Sequence, residues 1–466
     1  MIIFLFIIST LSTDSILNQP ELNSAQVGIY IFDLINDNVV YGYNSQKLLI
    51  PASNMKIITS GTALFFLGKE YRFKTRLALR GKIKNNKLLG DVILIGGGDP
   101  GFSLENLQQF VTTIRNMEIK EITGNIIVDD EYFTEERLPM GWSRHYFDAR
   151  YAPEISALSM NYNCVNVRMQ ATKIGGYAQV GIEPETKYVK LISKMITKSG
   201  DDSVIIYRKP EANIIFVDGG LGVGHKKDIE VALIDPAMFT GIYFGEMLND
   251  SGVNFKGRVI KKKDSKFAAI EVFNSMSVID SVVSKPLIDI IKDMNTESIN
   301  LNAEILIKTL GACYNNEGSF NAGLQMVRKF LDMCGVDTCM ISLWDGSGLS
   351  RHNLISPKDL ALVLNHIFHS DSLKALYELF PAPGQGTLEK RFKNFEYGLR
   401  AKTGTLDAIS CLSGYLKIDE SNYCFSMMFN NFICPRERIE QIQEQILEAF
   451  GKQEKTIDKD YKAKND

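Results

Sequence analysis

The stretch "LLIPASNMKIITSGTALFFLG", residues 48–68, places a serine and a lysine at the head of an apolar run. Its residue pattern predicts a helix from about Ser53 to Leu67, with Gly68 as the stop signal. Residues three apart on a helix share a face, so Ser53 and Lys56 can touch. Average residue usage predicts roughly two chance Ser-x-x-Lys matches in a chain of this length, yet only Ser53 has a lysine three positions later. The single match therefore falls where a helix begins.

This pair has the residue types of a nucleophile and its base. Serine is a poor nucleophile until a base removes its proton, and a lysine can do so only when burial or nearby positive charge depresses its pKa. The free N–H groups at a helix N-terminus favour a developing alkoxide and disfavour a charged ammonium. Ser53 and Lys56 are therefore the first candidates for covalent catalysis.

The tripeptide Lys402-Thr403-Gly404 in "RAKTGTLDA" is a second candidate. It lies in the first of three β-like runs that are separated by turn residues. Average usage predicts roughly a one in ten chance of this tripeptide anywhere in such a chain. Without a side chain, Gly404 would let a substrate backbone lie against the strand.

The tripeptide Ser-x-Asn is a weaker signal, because it occurs three times. The copies are Ser159 to Asn161, Ser298 to Asn300 and Ser319 to Asn321. Ser319 has a sufficient role as a helix cap, and Ser159 falls at the edge of a β-rich region. Ser298 lies between two predicted helices, so position favours this copy.

Composition limits the possible classes of protein. The chain has 466 residues, 45% hydrophobic and 23% charged, which is typical of a globular protein with two or more cores. Its net charge of −3 gives no electrostatic reason for a polyanionic partner, and no nucleic-acid-binding signature is found, so nucleic acid is not expected. Seven cysteines do not form a disulfide framework, although Cys334 and Cys339 could pair in an oxidising compartment. No ligand spacing for a metal is found, and neither a metal nor another cofactor is expected.

The N-terminal run "MIIFLFIISTLSTDS" is apolar over about ten residues, which is too short to span a bilayer and typical of an export signal. We expect residues 1–19 to be this signal, and the chain to be exported to the periplasm or cell envelope. A buried first strand or a misplaced start codon is the alternative. No later run approaches 18 apolar residues, so no transmembrane span is expected.

Taken together, the three motifs resemble those of the serine penicillin-recognising enzymes, in type and in order. In chain order they are Ser53-x-x-Lys56, Ser298-x-Asn300 and Lys402-Thr403-Gly404. The chain more narrowly resembles the class C low-molecular-mass penicillin-binding proteins, the D-alanyl-D-alanine carboxypeptidase/endopeptidases, in which a long insertion separates the first two motifs. Further likeness in "SALSMNYN" and "WDGSGLSRHNLISP" extends the resemblance over nearly the whole chain.

The resemblance implies a three-layer α/β (α+β) transpeptidase/β-lactamase-like domain, with a five-stranded antiparallel sheet between helices. This discontinuous catalytic domain would comprise residues 20–72 and 270–451. Residues 73–269 would form an inserted β-rich region, with a nested unit at about 100–165, and residues 452–466 are expected to be a disordered tail.

The resemblance also implies roles for single residues. Ser53 would be the acylated nucleophile and Lys56 its general base. Ser298 would pass a proton to the leaving group, and Asn300 would hold the acyl-side amide of the peptide.

The third motif would serve substrate binding. Lys402 would place positive charge near Ser298 and the substrate carboxylate, which Thr403 would help to bind beside Gly404. The backbone N–H groups of Ser53 and Thr405 would form the oxyanion hole. Residues 345–351, "DGSGLSR", match a loop of the family and are read most simply as a structural turn.

The implied function is a serine D-alanyl-D-alanine carboxypeptidase/endopeptidase that acts on peptidoglycan stem peptides and cross-links and is acylated by β-lactam antibiotics. A β-lactamase is an alternative, although no dedicated Glu for a deacylating water is identifiable. A catalytically weak sensor or scaffold is a second alternative. The intact motifs argue against it, because a silent site has no chemical need for them.

Overall fold

The computed structural model describes residues 15–264 and 276–465, and the side chains as far as residue 456. Most of the expected export signal, residues 1–14, lies outside the described residues. In the described part, no helix is both long enough and apolar enough to cross a membrane.

The elements run along the chain as two strands and a helix, a β-rich middle, a series of helices, three strands and a final helix. The strands are β1 Gln26–Asp33, β2 Asn38–Tyr43, β3 Lys74–Lys84, β4 Lys87–Ile95, β5 Glu121–Ile122, β6 Ile126–Asp129, β7 Cys164–Gln170, β8 Gln179–Glu183, β9 Lys190–Ser193, β10 Ile196–Lys198, β11 Ser203–Arg208, β12 Ile214–Gly222, β13 Lys226–Ala232, β14 Asn254–Phe255, β15 Val259–Lys261, β16 Ser277–Val283, β17 Gly398–Leu406, β18 Ile409–Ile418 and β19 Ser421–Asn430. The longer helices are α1 Met55–Leu67, α2 Leu104–Asn116, α3 Pro236–Asp250, α4 Leu287–Glu297, α5 Asn300–Asn315, α6 Phe320–Met333, α7 Pro357–His369 and α8 Arg436–Asn465.

The central sheet of the catalytic domain is antiparallel, in the order β17-β18-β19-β1-β2. Successive side chains of a strand point to opposite faces. Along β19, Cys424 and Met428 accordingly join the core beneath α1, α5 and α7, whereas Phe425, Met427 and Phe429 join the core beneath α8. The predicted three-layer fold, with a five-stranded sheet between helices, is confirmed.

Local signals set the ends of several helices, and those at Gly68 and Ser319 lie where the sequence predicts them. A short 3₁₀ turn, Ala52–Asn54, leads into α1, and Gly68 ends the helix with a φ of +80°. The hydroxyl of Ser319 caps α6 by accepting a hydrogen bond from Ala322 N. The hydroxyl of Ser356 caps α7 in the same way, through Asp359 N.

The β-rich middle contains one large sheet and two small ones. β3, β4, β5, β6, β14, β15 and β16 form the seven-stranded sheet, while residues 164–232 form the two smaller sheets. β5 and β6 pair with β4, so strand pairing does not separate residues 100–165 from their neighbours. We therefore propose a nested unit at 164–232, within an insertion that extends to β16, because β16 pairs with β3.

Two further expectations concern the tail and the cysteines. The expected disordered tail from Lys452 is instead helical as far as Asn465. Contacts with the domain explain part of this: the Tyr423 hydroxyl donates to Glu454 Oε2 at 2.9 Å, and Lys455 Nζ lies 4.7 Å from the centre of the Tyr397 ring. All seven cysteines are free, so Cys334 and Cys339 are not bridged.

Candidate active site

Ser53 lies in the 3₁₀ turn before α1, and Lys56 follows it within the first helical turn. The Lys56 ammonium is fully buried and uses its three donors on Ser53 Oγ at 3.0 Å, Asn300 Oδ1 at 2.5 Å and the Ser347 carbonyl at 2.8 Å. Burial lowers the pKa of Lys56 to about 7, against the opposing effect of the Asp345 and Glu304 carboxylates. The lysine can thus be neutral at physiological pH while it touches the serine.

Ser298 lies at the junction of α4 and α5 and has a left-handed backbone, with a φ of +58°. This conformation ends α4 and lets α5 begin at Asn300. Lys402 Nζ reaches the junction from β17 and donates to Ser298 Oγ and to the Thr403 carbonyl, each at 2.9 Å. Burial, and then the charge of Lys56, lower the pKa of Lys402 well below its usual value. Two buried lysines therefore approach the two hydroxyls.

Asn300 connects Lys56 to the inserted region. Its Oδ1 accepts from Lys56, and its Nδ2 donates to the Tyr151 carbonyl at 2.7 Å. An ammonium on one side and a carbonyl on the other determine which way the amide faces. The sequence indicated Asn300 but not its partner Tyr151, because a backbone carbonyl carries no residue signature.

Gly404 brings β17 against the serine turn. A Cβ added to Gly404 would lie 2.6 Å from the Pro51 carbonyl oxygen and 3.1 Å from Ser53 N. The glycine therefore has a packing role within the protein itself, whereas the sequence suggested room for a substrate backbone. On the same strand Thr403 is half-buried and Thr405 is exposed.

The loop 345–351 is a structural turn, as expected, and also contributes to the site. The buried Asp345 carboxylate accepts hydrogen bonds from donors within the loop and beyond it. These donors are Gly348 N at 2.8 Å, Ser350 N at 2.6 Å, Asn353 Nδ2 at 2.7 Å and Trp142 Nε1 at 2.8 Å. The loop so formed presents the Ser347 carbonyl to Lys56, a contact that sequence reasoning missed.

Glu304 is a further residue that sequence reasoning missed. It is fully buried on α5, and its carboxylate accepts hydrogen bonds from the backbone N–H groups of Gly346 and Ser347. Its position four residues after Asn300, on the same face of a helix, is the signal that could have identified it.

A serine that contacts a buried lysine, beside a second serine–lysine pair and under a five-stranded antiparallel sheet, defines the class of serine penicillin-recognising enzymes. The chain belongs to the D-Ala-D-Ala carboxypeptidase 3 (S13) family, whose sequence profile matches residues 10–451. It is thus an enzyme of the D-alanyl-D-alanine carboxypeptidase type, and the resemblance found in the sequence is confirmed.

Individual relatives agree with this assignment. The chain is 29% identical over 440 residues to the D-alanyl-D-alanine carboxypeptidase of Actinomadura sp. (strain R39), covering 91% of this chain and 81% of that protein. It is 25% identical over 417 residues to D-alanyl-D-alanine carboxypeptidase DacB of Haemophilus influenzae, covering 86% and 84%.

Solved structures show the same fold. Penicillin binding protein 4 (dacB) from Haemophilus influenzae superposes with a TM-score of 0.81 at 23% identity, over 93% of this chain and 97% of that chain. A second structure of that protein, complexed with a β-lactam, has a TM-score of 0.75 at 22% identity, over 93% and 98%.

Proposed function

We propose that this chain is a D-alanyl-D-alanine carboxypeptidase and endopeptidase that cleaves peptidoglycan stem peptides and cross-links through an acyl-enzyme on Ser53. The observation that carries the proposal is the 3.0 Å contact between Lys56 Nζ and Ser53 Oγ, made by a lysine whose pKa burial lowers to about 7. A base with a pKa near the working pH combines a useful neutral fraction with enough basicity to take the serine proton.

In the acylation step, neutral Lys56 takes the proton of Ser53 while Oγ attacks the carbonyl carbon of the penultimate D-alanine. The oxyanion that forms is stabilised by the backbone N–H groups of Ser53 and Thr405, and the loss of one such donor costs about 3 to 4 kcal/mol of barrier. The C–N bond then breaks as the Ser298 hydroxyl gives its proton to the leaving amine. The proton held by Lys56 passes to Ser298 and restores the hydroxyl.

Water completes the cycle. In deacylation Lys56 takes a proton from water, the hydroxide attacks the ester carbonyl and the proton returns to Ser53 Oγ as the shortened peptide leaves. The same steps cover both cleavages, because the leaving amine belongs either to a terminal D-alanine or to a neighbouring stem peptide.

Substrate binding is assigned to groups around Ser298. Lys402 and Thr403 would hold the terminal carboxylate, and the Nζ of Lys402 is 2.9 Å from Ser298 Oγ. Asn300 would hold the acyl-side amide. A β-lactam would enter by the same route, but its amine stays attached to the acyl group after ring opening and hinders the water. The β-lactam complex of the Haemophilus influenzae protein supports this part of the proposal.

The proposed substrate lies outside the cytoplasm, so the function requires export. The expected export signal, residues 1–19 with its apolar start, fits that requirement, and we propose a periplasmic or cell-envelope location.

The test uses the full chain, the variant Ser53→Ala and the matched variant Ser60→Ala, incubated with a fluorescent penicillin. Ser60 lies on α1, is buried and bonds to Asn295, and among the described residues it makes no hydrogen bond to Ser53 or Lys56. We expect a covalent adduct on the Ser53 peptide by mass spectrometry in the unaltered chain and in Ser60→Ala, and none in Ser53→Ala. Release of D-alanine from a stem pentapeptide should follow the same order.

Two results would overturn the proposal. An adduct that persists in Ser53→Ala would place the nucleophile elsewhere. Rapid turnover of the penicillin without an accumulated adduct, and without cleavage of stem peptides, would favour a β-lactamase.

A further inference from the structure

The buried carboxylate of Glu304 has no part in the steps above. Its side chain is fully buried on α5, four residues after Asn300. Burying a carboxylate is costly unless hydrogen bonds compensate it. Oε1 accepts from Ser347 N at 2.8 Å, and both oxygens lie 3.1 Å from Gly346 N. The carboxylate is thus bound to one short stretch of backbone.

That stretch also contacts the proposed general base. The carbonyl of Ser347 accepts from Lys56 Nζ at 2.8 Å, so Ser347 is held by Glu304 through its N–H and holds Lys56 through its C=O. The neighbouring carbonyl, of Gly346, accepts from the Thr59 hydroxyl at 2.6 Å, on α1. Glu304 therefore ties the Gly346–Ser347 backbone, which accepts the hydrogen bond from Lys56, to α5.

We propose that Glu304 is a positioning residue for Lys56: its buried carboxylate holds the Gly346–Ser347 backbone, and through it the charge and place of the lysine beside Ser53. The inference rests on the proposed function, since it assigns a role to a residue behind the general base.

The charges around Lys56 determine what removal of this carboxylate would do. Asp345 and Glu304 raise the pKa of Lys56, against the larger effect of burial. The charge of Lys56 in turn lowers the pKa of Lys402. Lys308, one turn after Glu304, is a further cation beside the carboxylate. Burial and Asp345 raise the pKa of Glu304 itself, while its N–H donors oppose that change.

The test compares Glu304→Gln with a control, Thr309→Val, on the same helix. The amide keeps the shape of the side chain and one acceptor oxygen but loses the charge. Thr309 is fully buried and its hydroxyl has no hydrogen-bond partner among the described residues, so valine fills the same space without a change at the site. The second-order rate constant for acylation by a fluorescent penicillin is measured from pH 5 to pH 9 for each protein.

The direction in which the pH profile should shift follows from the protonation state in which Lys56 acts. Lys56 acts when neutral, so the rate in the unaltered chain should rise with pH through about 7. Burial raises the pKa of Glu304 to about 8, so this carboxyl is only partly ionised on the limb. Loss of its remaining negative charge disfavours the Lys56 ammonium, so Glu304→Gln should move the limb to lower pH. A looser Ser347 carbonyl should also lower the plateau by about tenfold or more. Thr309→Val should match the unaltered chain in both respects.

The proposal would be overturned if the pH profile of the acylation rate of folded Glu304→Gln matched that of Thr309→Val, both in its rising limb and in its plateau. A lower plateau with an unmoved limb would also overturn it, because a merely structural defect would have that effect. If the unaltered chain formed no adduct on Ser53, the proposed function itself would fail, so the two failures are distinguishable.

Discussion

At the scale of single residues, three buried lysines stand out. Lys56, Lys308 and Lys402 are all fully buried, although ammonium groups are costly to remove from water. Each is compensated by oxygen atoms: Lys308 Nζ, for example, donates to the carbonyls of Thr134 at 3.0 Å and Glu136 at 2.6 Å. Lys56 and Lys402 meet the motif hydroxyls, whereas Lys308 joins α5 to the inserted region.

Gly404 allows the first residue-scale prediction. In Gly404→Ala the new Cβ would press on the Pro51 carbonyl at 2.6 Å, which is closer than non-bonded atoms approach. The Ser53 turn must therefore move away from β17, and a shift of about 1 Å at a reacting atom can cost about 100-fold in rate. We expect the rate of Ser53 acylation to fall at least about tenfold.

The matched control is Gly42→Ala, on β2 of the same sheet, where the nearest atoms to an added Cβ lie 3.7 and 3.9 Å away, on Ser45. Its acylation rate should equal that of the unaltered chain. Equal rates for Gly404→Ala and Gly42→Ala in folded proteins would contradict the packing role of Gly404.

At the scale of elements, one segment of the inserted region makes several contacts with the catalytic domain. Residues 134–151 supply the Tyr151 carbonyl to Asn300 and the Trp142 indole to Asp345. The carbonyls of Thr134 and Glu136 accept from Lys308 on α5. The inserted region thus supports the site from outside the catalytic sheet.

Trp142→Phe should weaken this support. The change keeps most of the buried ring and removes the N–H that donates to Asp345 Oδ2 at 2.8 Å. Loss of one partner of a buried charged group costs about 1 to 3 kcal/mol, and we expect a decrease of this size in the free energy of unfolding measured with urea. Because Asp345 shapes the loop that bears Ser347, the acylation rate should fall as well.

Trp344→Phe is the control for this change. The Trp344 indole donates to the Ser342 hydroxyl at 2.8 Å, and the ring is half-buried. Acylation by Trp344→Phe should remain unchanged. If Trp142→Phe also acylates at the original rate, the contact with Asp345 has no influence on the site.

At the scale of the whole molecule, the fold consists of units inserted into one another. The catalytic sheet joins the two ends of the chain through the pairing of β1 with β19. The insertion leaves and returns through paired strands, β3 and β16, and the nested unit does so through β7 and β13. Each unit therefore begins and ends on neighbouring strands, while residues of the nested unit such as Ile215 and Val217 share one apolar core with the seven-stranded sheet.

Excision of the nested unit should leave the chemistry intact. Val167 and Ile229 are partners in the β7–β13 ladder, so residues 168–228 can be replaced by Asn-Gly, which forms a two-residue hairpin turn. The excision removes several contacts with the rest of the insertion, among them the hydrogen bonds from Arg208 to the carbonyls of Phe147 and Ala232, each 2.7 Å long, and from its backbone N–H to the Asp148 carboxylate. We expect acylation by a small penicillin at a rate within about tenfold of the full chain, because none of the lost contacts involves a residue of the three motifs.

The control for the excision is the same deletion combined with Ser53→Ala, which should form no adduct. Circular dichroism reports whether the shortened chain is folded. A folded chain that fails to acylate would mean that residues 168–228 are part of the catalytic unit.

Local features of the chain were readable from its sequence. The helix that begins just after Ser53, the cap at Ser319 and the three strands after Gly398 follow from signals within a few residues of each other. The five-stranded sheet and the juxtaposition of the motifs came from the resemblance, since pairing between the two ends of the chain has no local signature.

Other features were decided by tertiary contacts. The burial of Lys56, the carboxylates of Glu304 and Asp345 behind it and the Tyr151 carbonyl against Asn300 bring together groups from distant parts of the chain. Their effect on the lysine depends on desolvation and on distances of a few ångströms, which no spacing in the sequence specifies. The residue types for an acyl-enzyme are thus present in the primary structure, whereas the lowered pKa of Lys56, the proposed base, depends on the folded interior.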